Sequence, residues 1–325
     1  MRIFLDTSTI KASKRGDLKN PITLAMNNLY RGFVDAGYDV VMSHINPRDT
    51  GRDYDVAVVF GSITRRKMDT ERAVSIQKHR LANKKILSLD SAFFSTYIRN
   101  SLSNSETNMF RIGVGDCVGS MPFDSANNNP DRYSYFEKTF SFEMKKPRTD
   151  GHPIMFILQT ERGWQYDNEM PYKDWAREVI RQIRTHTNNP IILRAHPNHQ
   201  REPLDYISKG FKNIQYQYGE RARMSLIEDL TNVGCAITHS SSAAVETLVE
   251  GIPTIALDKR CIAYDACSNN VEDVLYPEKF DWSKRSDYFN KWANTTFHVD
   301  EMKKPEVINY NMNKLLGVNK WLIMG

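Results

Sequence analysis

Short, unbroken apolar runs alternate with stretches of helical period along this chain, and the alternation happens twice. In the first half the runs are Ile3-Phe4-Leu5, Val40-Val41-Met42, Val56 to Phe60 and Ile86 to Leu89. In the second half they are Ile154 to Leu158, Ile191 to Leu193, Cys235 to Thr238 and Pro253 to Leu257. A strand that is apolar throughout must be covered on both faces, which is the situation of parallel strands joined by crossover helices. The intervening segments supply those helices. Pro21 opens one in which Ile22, Ala25, Met26, Leu29 and Phe33 share a face, and residues 172–186 place Trp175, Val179, Ile180 and Ile183 together. Further helices are expected over 68–82, around Leu226 to Leu230, over 240–250 and over 303–317.

The expected fold class is therefore α/β, with two Rossmann-like domains facing across a cleft. No internal sequence repeat is present. Residues 1–150 form the first domain, up to a polar linker around Lys145 to Gly151. Residues 151–302 form the second, and a closing helical segment, 303–325, has the option of packing back on the first. The Ser-, Asn- and Gly-rich stretch 100–130 is expected to be loops beside the cleft, and 258–300 is expected to be irregular. Ligands of open α/β sheets bind at the carboxyl ends of the strands.

Composition narrows the class of function. At 325 residues, 40% apolar and 26% charged, the chain has ordinary globular content and room for two cores. No run of about 18 apolar residues is present, and the first residues lack the apolar stretch and cleavage site of a secretory signal. The four cysteines form no CxxC pair, so neither a zinc framework nor a disulfide framework is expected, and a reducing cytoplasm fits. The net charge of +5 permits contact with a polyanion without demanding it.

Chemistry concentrates in the second half. The run from Ile237 to Pro253 delivers His239, Ser240, Ser241 and Ser242 from a strand to a helix start, where unpaired backbone N–H groups favour a phosphate. Glu246 follows one to two turns on and can accept from ribose hydroxyls. Gly251-Ile252-Pro253 ends the helix. Ser240 as a plain N-cap and Glu246 as a solvated helix residue are the bland alternatives. Arg194 and His196 stand at the end of another strand, Arg194 suited to a two-pronged grip on phosphate and His196 to proton donation, with Pro197 fixing the turn. After the first strand of this half, Arg162 and Gly163 occupy the position of a phosphate loop, with Trp164 and Tyr166 available to stack on a base or sugar.

These segments carry a resemblance. His196-Pro197 is similar to the His-Pro motif of bacterial sialyltransferases and related capsule-polysaccharide enzymes. Ser240-Ser241-Ser242 resembles their serine/threonine motif. The run Thr238 to Pro253 resembles the nucleotide-sugar signature of two-domain GT-B glycosyltransferases. The resemblance covers about 65 residues and implies that the C-terminal domain holds a nucleotide sugar. By that analogy His196 and Ser241 or Ser242 hold phosphate, and Glu246 holds ribose. The first half has no Asp/Glu-Asp/Glu-Gly motif of the kind sialyltransferases use for their base.

A glycosyltransferase needs a base on the acceptor side. Asp6, Asp90 and Asp116 stand at strand ends or in the 100–130 stretch, with Asp90 and Asp116 preferred. Asp53-Tyr54-Asp55 spells the Asp-x-Asp of metal-dependent enzymes but precedes its strand, at the wrong end, and is discounted. The expected activity is transfer of a sugar from a nucleotide-sugar donor, UDP-sugar first and CMP-sugar second, with no metal required. The first acceptor considered is a hydroxymethylated pyrimidine in DNA, because bacteriophage DNA glycosyltransferases are similar in size and fold. Arg65, Arg66 and Lys67 would be the DNA track, and a phage-encoded enzyme would work in the host cytoplasm. The alternatives are a surface-polysaccharide glycosyltransferase, a sugar-nucleotide epimerase and a non-catalytic nucleotide-binding module.

Overall fold

The structure, a computed structural model, describes residues 1–9, 20–43, 53–61, 71–91, 109–115, 130–140, 143–150, 152–159, 170–196, 202–219 and 226–317. Two compact units emerge. One comprises residues 1–142 and 289–325, the other 143–288. The sequence-based boundaries were set at 150/151 and 302/303; the chain crosses between units a little earlier on both occasions.

The first unit holds a six-stranded sheet. Its strands are β1 (Arg2–Asp6), β2 (Asp39–Ser43), β3 (Val56–Phe60), β4 (Lys85–Ser91), β5 (Met109–Val114) and β11 (Thr296–His298), in the order β11-β5-β4-β3-β1-β2. The four strands on the β2 side are mutually parallel, whereas β5 runs antiparallel to both its neighbours, β4 and β11. β3 is buried at every position, as its unbroken run of apolar residues requires. The helix Pro21–Asp35 starts as its sequence predicts, with Pro21 in the first turn and the Asn20 side chain accepting from the Ile22 N–H at 3.1 Å.

Two stretches depart from the sequence-based expectation. The stretch 100–130 is not all loop, since β5 runs through Gly113, which pairs with Ser88. Arg111 interrupts the apolar run there and hid it. The stretch 258–300 is not all irregular either, because it contains the helix Ser283–Ala293 as well as β11. The apolar residues of that helix crowd into its last turns, and a three-residue strand is too short to display a period.

The returning segment completes the first core. Phe297, Val299, Met302, Val307, Ile308 and Met312 pack with Ile3, Leu5, Met26, Leu29 and Phe33. Gly32 is required for this contact, because a Cβ there would lie 2.5 Å from the Met302 carbonyl oxygen. A buried ion pair fixes the same segment. Arg132, in the helix Pro130–Phe140, donates from Nη1 and Nη2 to Glu301 at 2.5 and 2.9 Å, and also bonds the carbonyls of Ala293 and Thr296. Arg132 is thus a core clamp.

The second unit holds a five-stranded, wholly parallel sheet. Its strands are β6 (Ile154–Ile157), β7 (Ile191–Arg194), β8 (Ile214–Gln217), β9 (Cys235–Thr238) and β10 (Thr254–Ala256), in the order β10-β9-β6-β7-β8. The chain winds outward from β6 through β7 to β8, then returns to lay β9 and β10 on the other flank. β6 and β9 therefore flank the topological switch point. Both units are Rossmann-like. No helix among the described residues is long and apolar enough to cross a membrane.

The helix Ala243–Val249 is buried from Ala244 to Val249 and ends on Gly251 at φ 71°. Gly251 carries a second constraint, since a Cβ would lie 2.1 Å from the Lys146 carbonyl oxygen. The segment entering this unit passes there, with Lys145 N–H bonded to Val249 O and Arg148 N–H to Gly251 O.

Glu301→Ala leaves the Arg132 charge buried alone, a loss of about 3–5 kcal/mol. The midpoint of chemical denaturation should fall accordingly, and the double change Arg132→Met with Glu301→Leu should recover part of it. Gly251→Ala strains the backbone and meets the Lys146 carbonyl, and should cost at least about 1–3 kcal/mol; an unchanged melting temperature would contradict the close approach.

Candidate functional site

The carboxyl ends of β6, β7 and β9 lie level, because Ile157 pairs with both Arg194 and Thr238. The residues that follow each strand therefore meet at the switch point. Gln159 follows β6, His196 follows β7, and His239 and Ser240 follow β9. Asp258 joins them from the end of β10, where its N–H bonds the His239 carbonyl at 3.0 Å.

Gln159 bridges the switch point. Its Oε1 accepts from the Ser240 backbone N–H at 3.0 Å, and its Nε2 lies 3.3 Å from Ser240 Oγ. Its own N–H donates to the Tyr172 hydroxyl at 2.6 Å. His239 is 1% exposed and boxed on three sides. The Trp175 ring meets it edge to face at 4.9 Å, Ser240 Oγ is 2.9 Å from Nδ1, and Asp258 Oδ2 is 3.4 Å from Nε2. Asp258 is in turn held by Arg260, whose Nε and Nη2 donate at 2.7 Å to its two oxygens. Gln159, Asp258 and Arg260 escaped the sequence reading. The rule that selected Arg194, residence at the end of an apolar strand, would have found Gln159 and Asp258 as well.

Arg194 is buried, and its Nε donates to Asp229 Oδ2 at 2.9 Å. Asp229 thus occupies the Nε edge of the guanidinium, and a two-pronged grip on a phosphate through that edge would have to displace it. The arginine's field still reaches its neighbours. Burial and then Arg194 lower the pKa of His196. Burial raises Glu246 from 4.5 to about 7, with Arg194 opposing. Glu246 is 9% exposed, so it is not the solvated helix residue of the bland alternative. Burial also lowers His239 from 6.5 to about 4, with Asp258 opposing and Arg260 adding to the fall. Burial works against the charge on Asp258, yet the Arg260 bonds hold its pKa below the ordinary value.

The helix after the serines is shorter than expected. It begins at Ala243, and its N–H groups find partners inside the chain. Ser240 N–H goes to Gln159, Ser241 N–H to Thr238 Oγ1 at 3.3 Å, and Ala243 N–H to Ser241 Oγ at 3.2 Å. Ser240 is therefore not the N-cap, and the Ser240 and Ser241 amides expected to be open to a phosphate are taken within the chain.

In the first unit, Asp6 closes β1 at the switch point between β1 and β3. It accepts from Ser8 N–H at 2.8 Å, from Ser8 Oγ at 2.5 Å, from Ser75 Oγ, and meets His79 Nε2 at 3.0 Å. Burial opposes ionisation, but these partners outweigh it and lower the pKa. So saturated a carboxylate is a poor proton acceptor. Asp90 lies within β4 rather than after it, facing Arg111 across the β4–β5 ladder at 3.5 Å. Asp53 and Asp55 sit at the amino end of β3, where Asp53 takes Lys84 Nζ at 2.7 Å and Asp55 the Arg2 N–H at 2.7 Å. Arg65, Arg66, Lys67, Asp116 and Arg162, with Trp164 and Tyr166, lie outside the described residues.

No protein-family model and no curated protein sequence matches the chain. Solved structures offer distant likenesses. A β-Kdo 2,4-transferase KpsC from Thermosulfurimonas dismutans is 14% identical over 98% of each chain, with a TM-score of 0.48. A UDP-GlcNAc 2-epimerase from Neisseria meningitidis bound to UDP-GlcNAc is 10% identical over 97% of this chain and all of its own, at 0.33. The E. coli heptosyltransferase WaaC with ADP is 10% identical, covers 88% of this chain and all of its own, and scores 0.28. At these scores none of them bears on the chemistry, which rests on the side chains above.

The two shifted groups give opposite pH signatures. A carboxyl with a raised pKa binds more protons folded than unfolded, so Glu246 erodes stability as pH climbs from 4.5 to about 7. A histidine with a lowered pKa does the reverse, so His239 costs stability as pH falls from 6.5 towards about 4. Glu246→Gln should melt above the wild type at pH 8 by up to about 3 kcal/mol. The gap should shrink at pH 5, as read from melting curves at the two values. An equal gap at both pH values would contradict the burial of Glu246.

Proposed function

We propose that the chain is a glycosyltransferase that binds a nucleotide sugar at the carboxyl edge of the second sheet and passes the sugar to an acceptor hydroxyl. One observation carries this reading. Gln159, Arg194, His196, His239 and Ser240 converge at the switch point of a wholly parallel sheet, with the buried Glu246 within the field of Arg194. Such a point is where open α/β sheets take their ligands.

In this function Glu246 holds the ribose. A carboxyl poised near neutrality accepts from one hydroxyl and, when protonated, donates to another. Arg194 places a fixed positive charge where negative charge develops on the departing phosphate, and preorganised charge of this kind lowers the barrier without reorganisation. His196, its pKa lowered by burial and by Arg194, is neutral at physiological pH and can hydrogen-bond the leaving phosphate. The acceptor proton goes to a carboxylate of the first unit. Asp90 and Asp116 are the proposed bases, with Asp6 set aside because its bonds are filled. UDP-sugar is the donor proposed first and CMP-sugar second. Among the described residues nothing favours DNA as acceptor over the hydroxyl of a surface polysaccharide.

A thermal-shift panel with UDP, CMP, GDP, ADP and inorganic phosphate tests the donor half. A ligand present at about 100 times its dissociation constant stabilises by about 2.7 kcal/mol. One nucleotide should raise the melting temperature of the wild type, and the rise should weaken in Glu246→Ala. No shift with any of them would overturn the proposal. Turnover of the donor without an acceptor would turn it towards an epimerase.

A further inference from the structure

The polarity of the chain of contacts Asp258–His239–Ser240, in which Asp258 meets Nε2 as a charge contact rather than a hydrogen bond, can be read from its geometry. A neutral imidazole carries one N–H and one lone pair. Asp258 can only accept, and its Oδ2 stands 3.4 Å from His239 Nε2. A proton on Nε2 is attracted to that carboxylate, whereas a lone pair would be repelled. Arg260 keeps Asp258 ionised and fixed through three donors, Nε, Nη2 and its backbone N–H, at 2.7–2.8 Å. With the proton on Nε2, Nδ1 is an acceptor, and Ser240 Oγ at 2.9 Å must donate to it. The same hydroxyl lies 3.3 Å from Gln159 Oε1, the longer of the two routes for its single hydrogen. Either route spends that hydrogen inside the protein. What Ser240 then offers a ligand is a lone pair.

We propose that Asp258, acting through His239, fixes the Ser240 hydroxyl as a hydrogen-bond acceptor in the ligand site. Ser240 then selects a hydroxyl or amide N–H on the sugar of the donor and turns away phosphate oxygens. The identity of the ligand rests on the glycosyltransferase function proposed above; the polarity of the chain does not. Asp258 and His239 are positioning residues here, and Ser240 is the one that touches the ligand. The inference separates Ser240 from the phosphate-binding role that its place in a serine run suggests.

Long-range proton–nitrogen correlation spectra of the histidine-labelled wild type decide the polarity. The eight histidines are sorted by the signal that disappears in His239→Gln. The Nε2–H tautomer is the expected result, and the Nδ1–H tautomer would overturn the proposal. Asp258→Asn, which can donate to Nε2, should move the ring towards Nδ1–H. Calorimetry with UDP-N-acetylglucosamine and with UDP tests the selectivity. Ser240→Ala and Asp258→Asn should each weaken the sugar nucleotide about fivefold, the double variant no further, with UDP unchanged to within about twofold. Equal losses on both ligands would also overturn it. If the wild type binds neither ligand, the donor function falls, and the tautomer alone decides the inference.

Discussion

The Arg132–Glu301 pair is the constraint on which the first unit depends. Its partners are 169 residues apart in sequence and both are buried. A charge taken from water without its counterpart is expensive, so neither residue tolerates the other's absence. Glu301 also accepts the His298 N–H at 2.7 Å, and Arg132 reaches back to the Ala293 and Thr296 carbonyls. Together these contacts hold the returning segment in one register. In that register Thr296 to His298 pair with β5, and Met302 lies over Gly32. The core of the unit is then closed by residues that follow the second unit in sequence.

The two switch points are used in opposite ways. In the first unit Asp6 is wrapped by Ser8, Ser75 and His79, and His79 passes its other nitrogen to the Tyr54 hydroxyl at 2.6 Å. That arrangement stabilises a structure and leaves little for a ligand to do. In the second unit the polar groups are likewise bonded, but their protonation states are displaced. Glu246 is pushed up by burial and His239 is pushed down by it. Structural ion pairs can also perturb protonation, yet displaced groups gathered where the strand order reverses are the pattern expected of a binding site.

Much of the architecture was legible because buried parallel strands announce themselves as unbroken apolar runs. β3 and β6 are examples, each apolar and buried from end to end. Legibility failed where a charge or brevity broke the signal. Arg111 masked β5, and three residues are too few to announce β11. At the site, Arg194, His196, His239 and Glu246 could be chosen from local sequence alone, because each stands at a strand end or one turn beyond. Which residues they pair with could not. Asp229 is 35 residues from Arg194, and Gln159 is 81 from Ser240. The serine run also misled. Amides that seem unpaired in the sequence are taken by Gln159 and Thr238, a fact that only the register of β6 against β9 reveals.

The second unit is contained in the sequence of the first, since residues 143–288 lie between its two parts. Translation runs from one end of the chain to the other. The inner unit therefore has its whole sequence outside the ribosome while the outer one still waits for its final strand and helix. Until Thr296 to His298 emerge, the outer edge of β5 has no strand to pair with, and Arg132 has no carboxylate. A nascent chain whose residue 288 has left the ribosome while Thr296 has not would carry a complete inner unit beside an unfinished outer one.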